Sequence, residues 1–318
     1  MRLFISSRRT ASARRTVSTV TALVCGAGVL AGCTTDQLSE GLAKVRAKEE
    51  GAVASEKPNP TLPSKSANES AVPGGSGAGL TDGQVPKAWQ QAVTDVESQF
   101  GGSVGIAIAA PGGEVAEFGS LLSDVAWSTS KVPVAVAVVR EQGVTPNVTS
   151  AITVSDNAAA EAMWASLGDA ATAGHKVNQV LRDGGDTATQ IQTERVRPEF
   201  TAFGQTQWAL KDQATFGANL RCMSGGTEVA SLMEQISAGQ NYGLGGIEGA
   251  AFKGGWGPDL SGSYLTRQFG VLPGAEPGRF FGVAIAVKSA DGTYETEQAM
   301  LTAIASAIRE YPVPGGVC

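Results

Sequence analysis

Segments with strand-like patterns occur at the two ends of residues 81–318, and a long stretch with helical spacing separates them. Near the start, two such segments follow an amphipathic helix, and at the end two more precede another helix. The helices are predicted at 86–100 and 295–311, and the strands at 102–110, 115–119, 264–272 and 279–288. The middle, 128–237, is mainly helical in pattern. The chain is therefore predicted to begin a sheet, cross into a helical region and return to complete the sheet, as an α+β or α/β domain.

The first 32 residues have the layout of a secretory signal. Several arginines precede an apolar run from about Val17 to Leu30, which is shorter than the roughly 20 residues of a membrane-spanning helix. The run ends at Leu30-Ala31-Gly32-Cys33, which resembles the lipobox of bacterial lipoproteins. That resemblance implies removal of 1–32, a lipid on Cys33 and a location at the outer face of the cell membrane. An ordinary cleavage site between small residues is the alternative.

Residues 33–80 are rich in Ser, Pro, Gly, Lys and Glu and contain almost no aromatic residues. Such a composition buries too little apolar surface to offset the entropy lost on ordering. We therefore predict a flexible tether between the membrane and a folded domain at 81–318.

The cysteines separate into two groups. Cys25 lies in the signal and Cys33 is the predicted lipid site, which leaves Cys222 and Cys318 in an oxidising space. An even pair there indicates one disulfide, with two free buried thiols as the alternative.

The charge pattern bears on possible partners. The formal net charge is −6, and no basic block occurs in the body of the chain, so no nucleic-acid partner is expected.

The sequence gives little support for a catalytic triad or a metal site that depends on histidine. The single histidine, His175, lies in a polar helical stretch with no recognisable triad partners around it. Two remaining cysteines are too few for a structural zinc site. We therefore expect neither a metal site nor a cofactor, and His175 is not a candidate for catalysis.

Ser128-Thr129-Ser130-Lys131 is the one Ser-x-x-Lys in the sequence, and it precedes an apolar run typical of a buried helix. Residues three apart share a helix face, so Lys131 can reach the hydroxyl of Ser128. A serine becomes a nucleophile when a base takes its proton, and a lysine becomes that base when its pKa is lowered. A serine helix cap beside an exposed lysine would give the same four letters.

Two further motifs follow along the chain. Ser155-Asp156-Asn157 starts another predicted helix, and Lys253-Gly254-Gly255-Trp256-Gly257 lies at the start of the returning sheet. With Ser128 and Lys131, these motifs resemble the serine β-lactamases and penicillin-binding proteins, whose signatures are Ser-x-x-Lys, Ser-Asp-Asn and Lys-Thr-Gly in that order. The stretch 151–160 is especially like a class A enzyme. The resemblance covers nearly all of 81–318 and implies an α+β, β-lactamase/transpeptidase-like fold with an antiparallel sheet and a reduced helical lobe.

The resemblance also implies a role for each motif residue. Ser128 would form an acyl-enzyme with Lys131 as its activating neighbour, and Ser155 would pass a proton to the leaving nitrogen. The substrate-binding residues would be Asn157 at the substrate amide, Lys253 at the substrate carboxylate, and Gly255 and Trp256 in the third motif. Backbone N–H groups of Ser128 and Trp256 would form the oxyanion hole.

The sequence departs from the family pattern in three places. Gly254 replaces the residue whose hydroxyl usually faces the substrate carboxylate, and the stretch between Ser128 and Ser155 is shorter than in class A enzymes. The glutamate that activates the deacylating water has no recognisable sequence context. Glu194 is the candidate general base, and Glu199 lies nearby. Two solvated glutamates that balance neighbouring arginines are the alternative.

Three functions are compatible with these motifs. The first is an envelope serine hydrolase of β-lactamase or D,D-peptidase type, acting on peptidoglycan or a β-lactam-like small molecule. The second is a catalytically inactive relative that binds a cell-wall component in the same cleft. The third is esterase or D-amino-acid amidase chemistry on the same residues.

Overall fold

The computed structural model describes residues 86–318, and the predicted signal, the tether and Cys33 lie outside the described residues. The helices are α1 (Lys87–Phe100), α2 (Lys131–Gln142), α3 (Pro146–Thr153), α4 (Asn157–Ser166), α5 (Ala170–Asp183), α6 (Leu210–Asn219), α7 (Gly226–Met233) and α8 (Tyr294–Glu310). The strands are β1 (Ser103–Ala109), β2 (Val115–Gly119), β3 (Ser123–Val125), β4 (Gln207–Ala209), β5 (Ala251–Pro258), β6 (Tyr264–Pro273) and β7 (Phe280–Lys288).

The main sheet is antiparallel throughout and has the strand order β2-β1-β7-β6-β5. Its centre is the pairing of β1 with β7, in which Ser103 lies opposite Lys288 and Ala109 opposite Gly282. The first and last strands of the domain therefore meet side by side, which confirms the predicted α+β fold. Strand β5 pairs with β6 on one side and forms an edge of the sheet.

Both faces of the sheet are covered. Ile106 and Ile285 point towards α1 and α8, where Trp89 is also fully buried. Their neighbours Ala107 and Ala284 belong to the core on the opposite face. This alternation is the period-two pattern of strands buried on both sides.

Helix α6 lies unusually close to the second face of the sheet. A Cβ atom at Gly282 would lie 2.1 Å from the carbonyl oxygen of Ala214 and 2.2 Å from the backbone nitrogen of Ala218. Only glycine permits this approach of helix to strand.

Helix α2 occupies the centre of the helical lobe. Every residue from Lys131 to Val139 is buried, and the helix packs against α3, α4, α5 and α7. Pro133 lies in the first turn, where its missing N–H has no partner to lose. The predicted buried helix after Ser128 is therefore present and is held by packing on all sides.

The predicted elements of the sheet agree with the structure to within about two residues at their ends, as boundaries usually do. The predicted helical region is interrupted between α5 and β4. Gly184 and Gly185, the latter with φ of 85°, end α5, and a largely irregular segment continues to Gln207. A small sheet formed by β3 and β4 was not anticipated, since three residues are too short to show a period-two pattern.

Cys222 and Cys318 form the predicted disulfide, with a Cα–Cα distance of 5.3 Å. It joins the short helical turn after α6 to the segment that follows α8. Within residues 86–318, no helix combines the length and the apolar character needed to cross a membrane.

Candidate active site

Ser128 lies on a single 3-10 turn, Trp127–Ser130, that leads directly into α2. The turn is fixed by the hydroxyl of Thr129, which donates to the carbonyl of Ala126, and by that of Ser130, which donates to the carbonyl of Trp127 at 2.8 Å. Thr129 and Ser130 are buried, whereas Ser128 is half-buried. The turn thus presents one hydroxyl to the surface and uses the other two for its own structure.

Within residues 86–318, Trp127 and Ser155 are the two non-glycine residues with positive φ, at 49° and 59°. This region of backbone space is costly for residues with a Cβ, and such strain persists where the surroundings enforce it. One of these residues directly precedes Ser128, and the other is the predicted proton relay. The strain is therefore concentrated at the candidate site.

Strand β5 lies directly against the turn that carries Ser128. A Cβ atom at Gly255 would lie 2.8 Å from the backbone nitrogen of Ser128, and one at Gly257 would lie 2.6 Å from the ring of Trp127. These distances are shorter than any side chain tolerates. The glycines of the third motif thus allow close contact between strand and nucleophile turn.

Lys131 is 1% exposed and points towards the second motif. Its Nζ donates to the carbonyl oxygen of Ser155 at 2.5 Å and to Oδ1 of Asn157 at 2.8 Å, and lies 3.2 Å from Ser155 Oγ. The first two partners are acceptors only, so they orient two of the amine hydrogens.

Lys253 approaches the same hydroxyl from β5. Its Nζ lies 2.9 Å from Ser155 Oγ and 3.0 Å from the carbonyl oxygen of Gly254, and the side chain is fully buried. Burial, and secondarily the charge of Lys131, holds the pKa of Lys253 well below its ordinary value of 10.5. Two amines therefore share one hydroxyl, and burial together with their mutual repulsion makes it unfavourable for both to be charged.

The second motif is built around the start of α4. Oδ1 of Asp156 accepts from the backbone N–H of Ala159 at 2.9 Å, so Asp156 is a helix cap. Asn157 accepts from Lys131 through its carbonyl oxygen, and an amide can at the same time donate through nitrogen. The predicted contact of Asn157 with a substrate amide is compatible with this arrangement.

The side chain of Trp256 does not face Ser155 and Lys253. Its ring lies 5.2 Å from that of Tyr294, at an interplanar angle of 28°, on the side of the sheet that faces α8. Lys253 and Gly255, by contrast, face the helical lobe. This is the alternation expected along a strand.

Glu194 and Glu199 are exposed on the irregular segment after α5. Within residues 86–318, the Glu194 side chain makes no hydrogen bond or ion pair, and Glu199 pairs with Arg197 at 3.1 Å. The pKa of Glu199 is lowered from 4.5, mainly because the carboxylate accepts from the backbone N–H of Glu199 and also because it lies beside the guanidinium of Arg197. Desolvation opposes this shift only in part. The structure does not bring either glutamate into contact with the residues around Ser155. His175 is exposed on α5.

A buried polar network lies behind the nucleophile turn and was not predicted from the sequence. Arg267 on β6 donates to Oε1 of Gln213 at 2.6 Å, and Gln213 donates to the hydroxyl of Thr129 at 2.9 Å. Arg267 also donates to the carbonyl oxygens of Asp124 and Trp208, and burial lowers its pKa to about 10. The sequence feature that could have indicated this network is Arg267, a charged residue within an otherwise apolar predicted strand.

A cavity of about 310 Å³ opens beside the same turn. It is bordered by Trp127 and Gly257 on one side and by Val196 and Arg197 of the irregular segment on the other. The cavity has the volume of a small-molecule site, but Ser128, Lys131, Ser155 and Lys253 are not among the residues that line it.

Comparison with protein-family models gives no match, and comparison with curated proteins gives none either. Solved structures do match. They include a beta lactamase from Xanthomonas campestris (17% identity, TM-score 0.52, 70% of this chain and 97% of that chain). They also include one from Sphaerobacter thermophilus (21%, 0.54, 70% and 94%) and a class A beta-lactamase from Bacteroides cellulosilyticus (13%, 0.58, 71% and 97%).

These similarities extend over nearly the full length of the matched enzymes, at identities that establish the fold alone. The sheet built from both ends of the domain and the helical lobe between them agree with that result. The described part of the chain has the fold of the class A serine β-lactamases.

Proposed function

We propose that this protein is an envelope serine hydrolase of the β-lactamase or penicillin-binding type, which forms an acyl-enzyme on Ser128. The observation that carries the proposal is the convergence of three motifs. Lys131 and Lys253 both place Nζ within hydrogen-bonding distance of Ser155 Oγ, and β5 lies against the backbone of Ser128.

The first chemical step follows from the donors around Lys131. The carbonyl oxygen of Ser155 and Oδ1 of Asn157 orient the Lys131 amine, which in its neutral form can act as a base. Lys131 takes the proton of Ser128, and Oγ attacks the substrate carbonyl. The backbone N–H groups of Ser128 and Trp256 receive the negative charge that develops on the carbonyl oxygen.

The second step expels the leaving nitrogen. Ser155 gives its hydroxyl proton to that nitrogen as the carbon–nitrogen bond breaks, and takes a proton from Lys131 in return. Nζ of Lys253 donates a hydrogen bond to the same hydroxyl at 2.9 Å and helps to orient it. The products are an ester on Ser128 and a neutral amine that carries the proton originally on Ser128, and Lys131 is again neutral.

Hydrolysis of that ester requires an activated water. The candidate base Glu194 is exposed and makes no side-chain hydrogen bond or ion pair within the described residues. General-base catalysis contributes about 10²–10⁴ in rate, so we expect a long-lived acyl-enzyme. This property favours a penicillin-binding type of reactivity over rapid β-lactam turnover.

The proposed setting is the outer face of the cell membrane. A lipid on Cys33 and a tether over 33–80 would place the domain near peptidoglycan, whose peptides carry amide bonds of the required type. The predicted signal segment supports this location.

A catalytically inactive cell-wall-binding lipoprotein is the second candidate. Gly254 favours it, because the third motif offers no side-chain hydroxyl to a ligand carboxylate. Within residues 86–318, neither Glu194 nor Glu199 contacts the residues around Ser155, where a base for the deacylating water would be needed, and this points in the same direction.

The test is covalent labelling. The purified protein is incubated with a fluorescent penicillin and analysed by intact mass, with Ser128→Ala as the matched control. We expect one adduct, mapped to Ser128 and absent from the variant. No adduct with either the penicillin or a reactive serine probe would refute the hydrolase proposal and leave the binding protein.

A further inference from the structure

Trp127 has a strained backbone at the start of the nucleophile turn, Trp127–Ser130. Its φ of 49° is costly for a bulky residue, and the turn has no side-chain cap at its start. Such strain persists where surrounding contacts enforce it. Because Ser128 is the next residue, the contacts that fix Trp127 also fix the direction of the Ser128 hydroxyl.

The indole ring of Trp127 is held by packing. The residue is 8% exposed, and within residues 86–318 its buried Nε1 has no hydrogen-bond partner. A Cβ atom at Gly257 would lie 2.6 Å from the ring, so the ring lies directly against the backbone of β5. The ring of Phe200 meets it edge-on, with centroids 4.9 Å apart and an interplanar angle of 73°. Aromatic pairs favour this arrangement, so Gly257 and Phe200 together fix the indole.

Arg197 connects Phe200 to β5. Its Cζ lies 4.4 Å from the centre of the Phe200 ring, and its Nη1 donates to the carbonyl oxygen of Pro258 at 2.5 Å. A planar guanidinium can stack on an aromatic ring and donate a hydrogen bond in its own plane at the same time. Pro258 directly follows Gly257. The contacts therefore close on themselves in a contact cycle of five residues, Arg197, Phe200, Trp127, Gly257 and Pro258.

The backbone that carries Arg197 and Phe200 is itself fixed by Gln205. Oε1 of Gln205 accepts from the backbone N–H of Arg197 at 2.7 Å. Its Nε2 lies 3.0–3.3 Å from the carbonyl oxygens of Arg197, Phe200 and Thr201. One amide side chain thus satisfies backbone groups that a helix or strand would otherwise pair. Arg197 and Phe200 therefore contact the turn and β5 from a defined position, although they lie outside helices and strands.

We propose that Arg197 and Phe200 are positioning residues, which hold Trp127 in its positive-φ conformation and thereby direct the hydroxyl of Ser128. The inference rests on the proposed function in that its measured consequence is the rate of acylation. It goes further by giving the irregular segment after α5 a role before the ester forms. The candidate base Glu194, on the same segment, would act only after the ester has formed.

The first test separates the acylation step from ligand binding. Arg197→Gln and Phe200→Leu are labelled with a fluorescent penicillin at a series of concentrations, which gives a saturating rate constant and a half-saturating concentration. Misplacement of a reacting group by about 1 Å costs roughly 100-fold, so the saturating rate constant should fall by roughly 10–100-fold. The half-saturating concentration should change little, because Asn157 and Lys253 are untouched.

Arg195→Gln is the matched control. Arg195 lies two positions before Arg197 and pairs with Glu161 at 2.7 Å, outside the contact cycle. Its replacement removes one arginine and one exposed ion pair from the same segment, so the wild-type rate is expected. The double variant of Arg197→Gln and Phe200→Leu should lose no more than the slower single variant, since the two residues act as a unit.

The second test needs no acylation. Hydrogen exchange is followed by mass spectrometry in the peptide that contains residues 126–131, which includes the whole nucleophile turn. Loss of the contact cycle should speed exchange there in Arg197→Gln and Phe200→Leu, and Arg195→Gln should exchange like the wild type.

The outcomes separate the two proposals. If penicillin acylates the wild type, an unchanged saturating rate in both variants, or an equal loss in Arg195→Gln, would overturn the positioning role. If penicillin never acylates the wild type, the exchange measurement decides. Exchange that depends on Arg197 and Phe200 would then sustain their hold on the turn and refute the hydrolase alone, whereas unchanged exchange would refute both.

Discussion

Ser155 and Lys253 are 98 positions apart in the chain, yet Oγ of one lies 2.9 Å from Nζ of the other. Lys131 reaches the same oxygen from the helical lobe at 3.2 Å. Two lysines and one hydroxyl therefore form a single hydrogen-bonded group. Its behaviour belongs to the group as a whole, because interacting sites titrate together.

The first prediction concerns the pH dependence of acylation. Burial, and secondarily the charge of Lys131, lowers the pKa of Lys253 well below 10.5. Lys253 therefore loses its charge as the pH rises through this lowered pKa, and its attraction for a ligand carboxylate weakens there. The penicillin concentration that gives half-maximal acylation should rise with pH, with a midpoint well below 10.5, and Lys253→Gln should lack this dependence. The same pH dependence in stopped-flow measurements on the two proteins would contradict the lowered pKa.

The second prediction compares two adjacent glycines. Gly255→Ala places a methyl group 2.8 Å from the backbone nitrogen of Ser128, so β5 must move away from the nucleophile turn. We expect about 1–3 kcal/mol of lost stability, typical of overpacking, and a large fall in acylation rate. Gly254→Ala adds the same methyl group where the nearest atom is 3.8 Å away, and should leave stability nearly unchanged. Thermal unfolding and penicillin labelling of both variants provide the comparison, and equal effects would argue against the close strand contact.

The third prediction concerns Glu297, which is fully buried on α8 and accepts from the hydroxyl of Thr266. Desolvation raises its pKa from 4.5 to about 7. The folded state thus binds a proton more tightly than the unfolded state, and this stabilisation is complete below pH 4.5 and is lost as the pH rises through 7. The wild-type free energy of unfolding should fall by up to about 1.4 kcal/mol per pH unit in that window, relative to Glu297→Gln. Urea unfolding at a series of pH values tests it, and parallel curves for the two proteins would be inconsistent with a raised pKa.

The fourth prediction concerns the disulfide. Cys222 and Cys318 are separated by 96 positions, so their bond restricts the unfolded chain strongly. Replacing both by serine should lower the free energy of unfolding by about 2–4 kcal/mol. Urea denaturation with and without a reductant measures this, and the reductant should destabilise the wild type while leaving the double variant unaffected. A wild type insensitive to reductant would mean that the bond adds no stability.

The features predicted from the sequence are those with local signals. In the strand pairs, the amphipathic helices and the buried helix after Ser128, the spacing of apolar residues is visible within a short stretch of sequence. The three motifs occur in a fixed order, and the structure brings Lys131, Ser155 and Lys253 together. The pairing of Cys222 with Cys318 followed from the elimination of the other cysteines.

The features that were missed depend on contacts between distant segments. Phe200 belongs to no motif, and only the folded chain places its ring against Trp127. Arg267 is paired with main-chain carbonyls and Gln213, partners that carry no sequence motif. The positions of Glu194 and Glu199 depended on the path of an irregular segment, which no periodicity describes.

The pairing of β1 with β7 has a consequence for how activity arises. Contacts within the helical lobe span shorter stretches of sequence than the central strand pair, which must close a loop that spans almost the entire domain. We expect the lobe that carries Ser128 and Ser155 to gain structure early and Lys253 to arrive with the sheet afterwards. The chain would then remain unreactive towards acyl compounds until its last strands are in place.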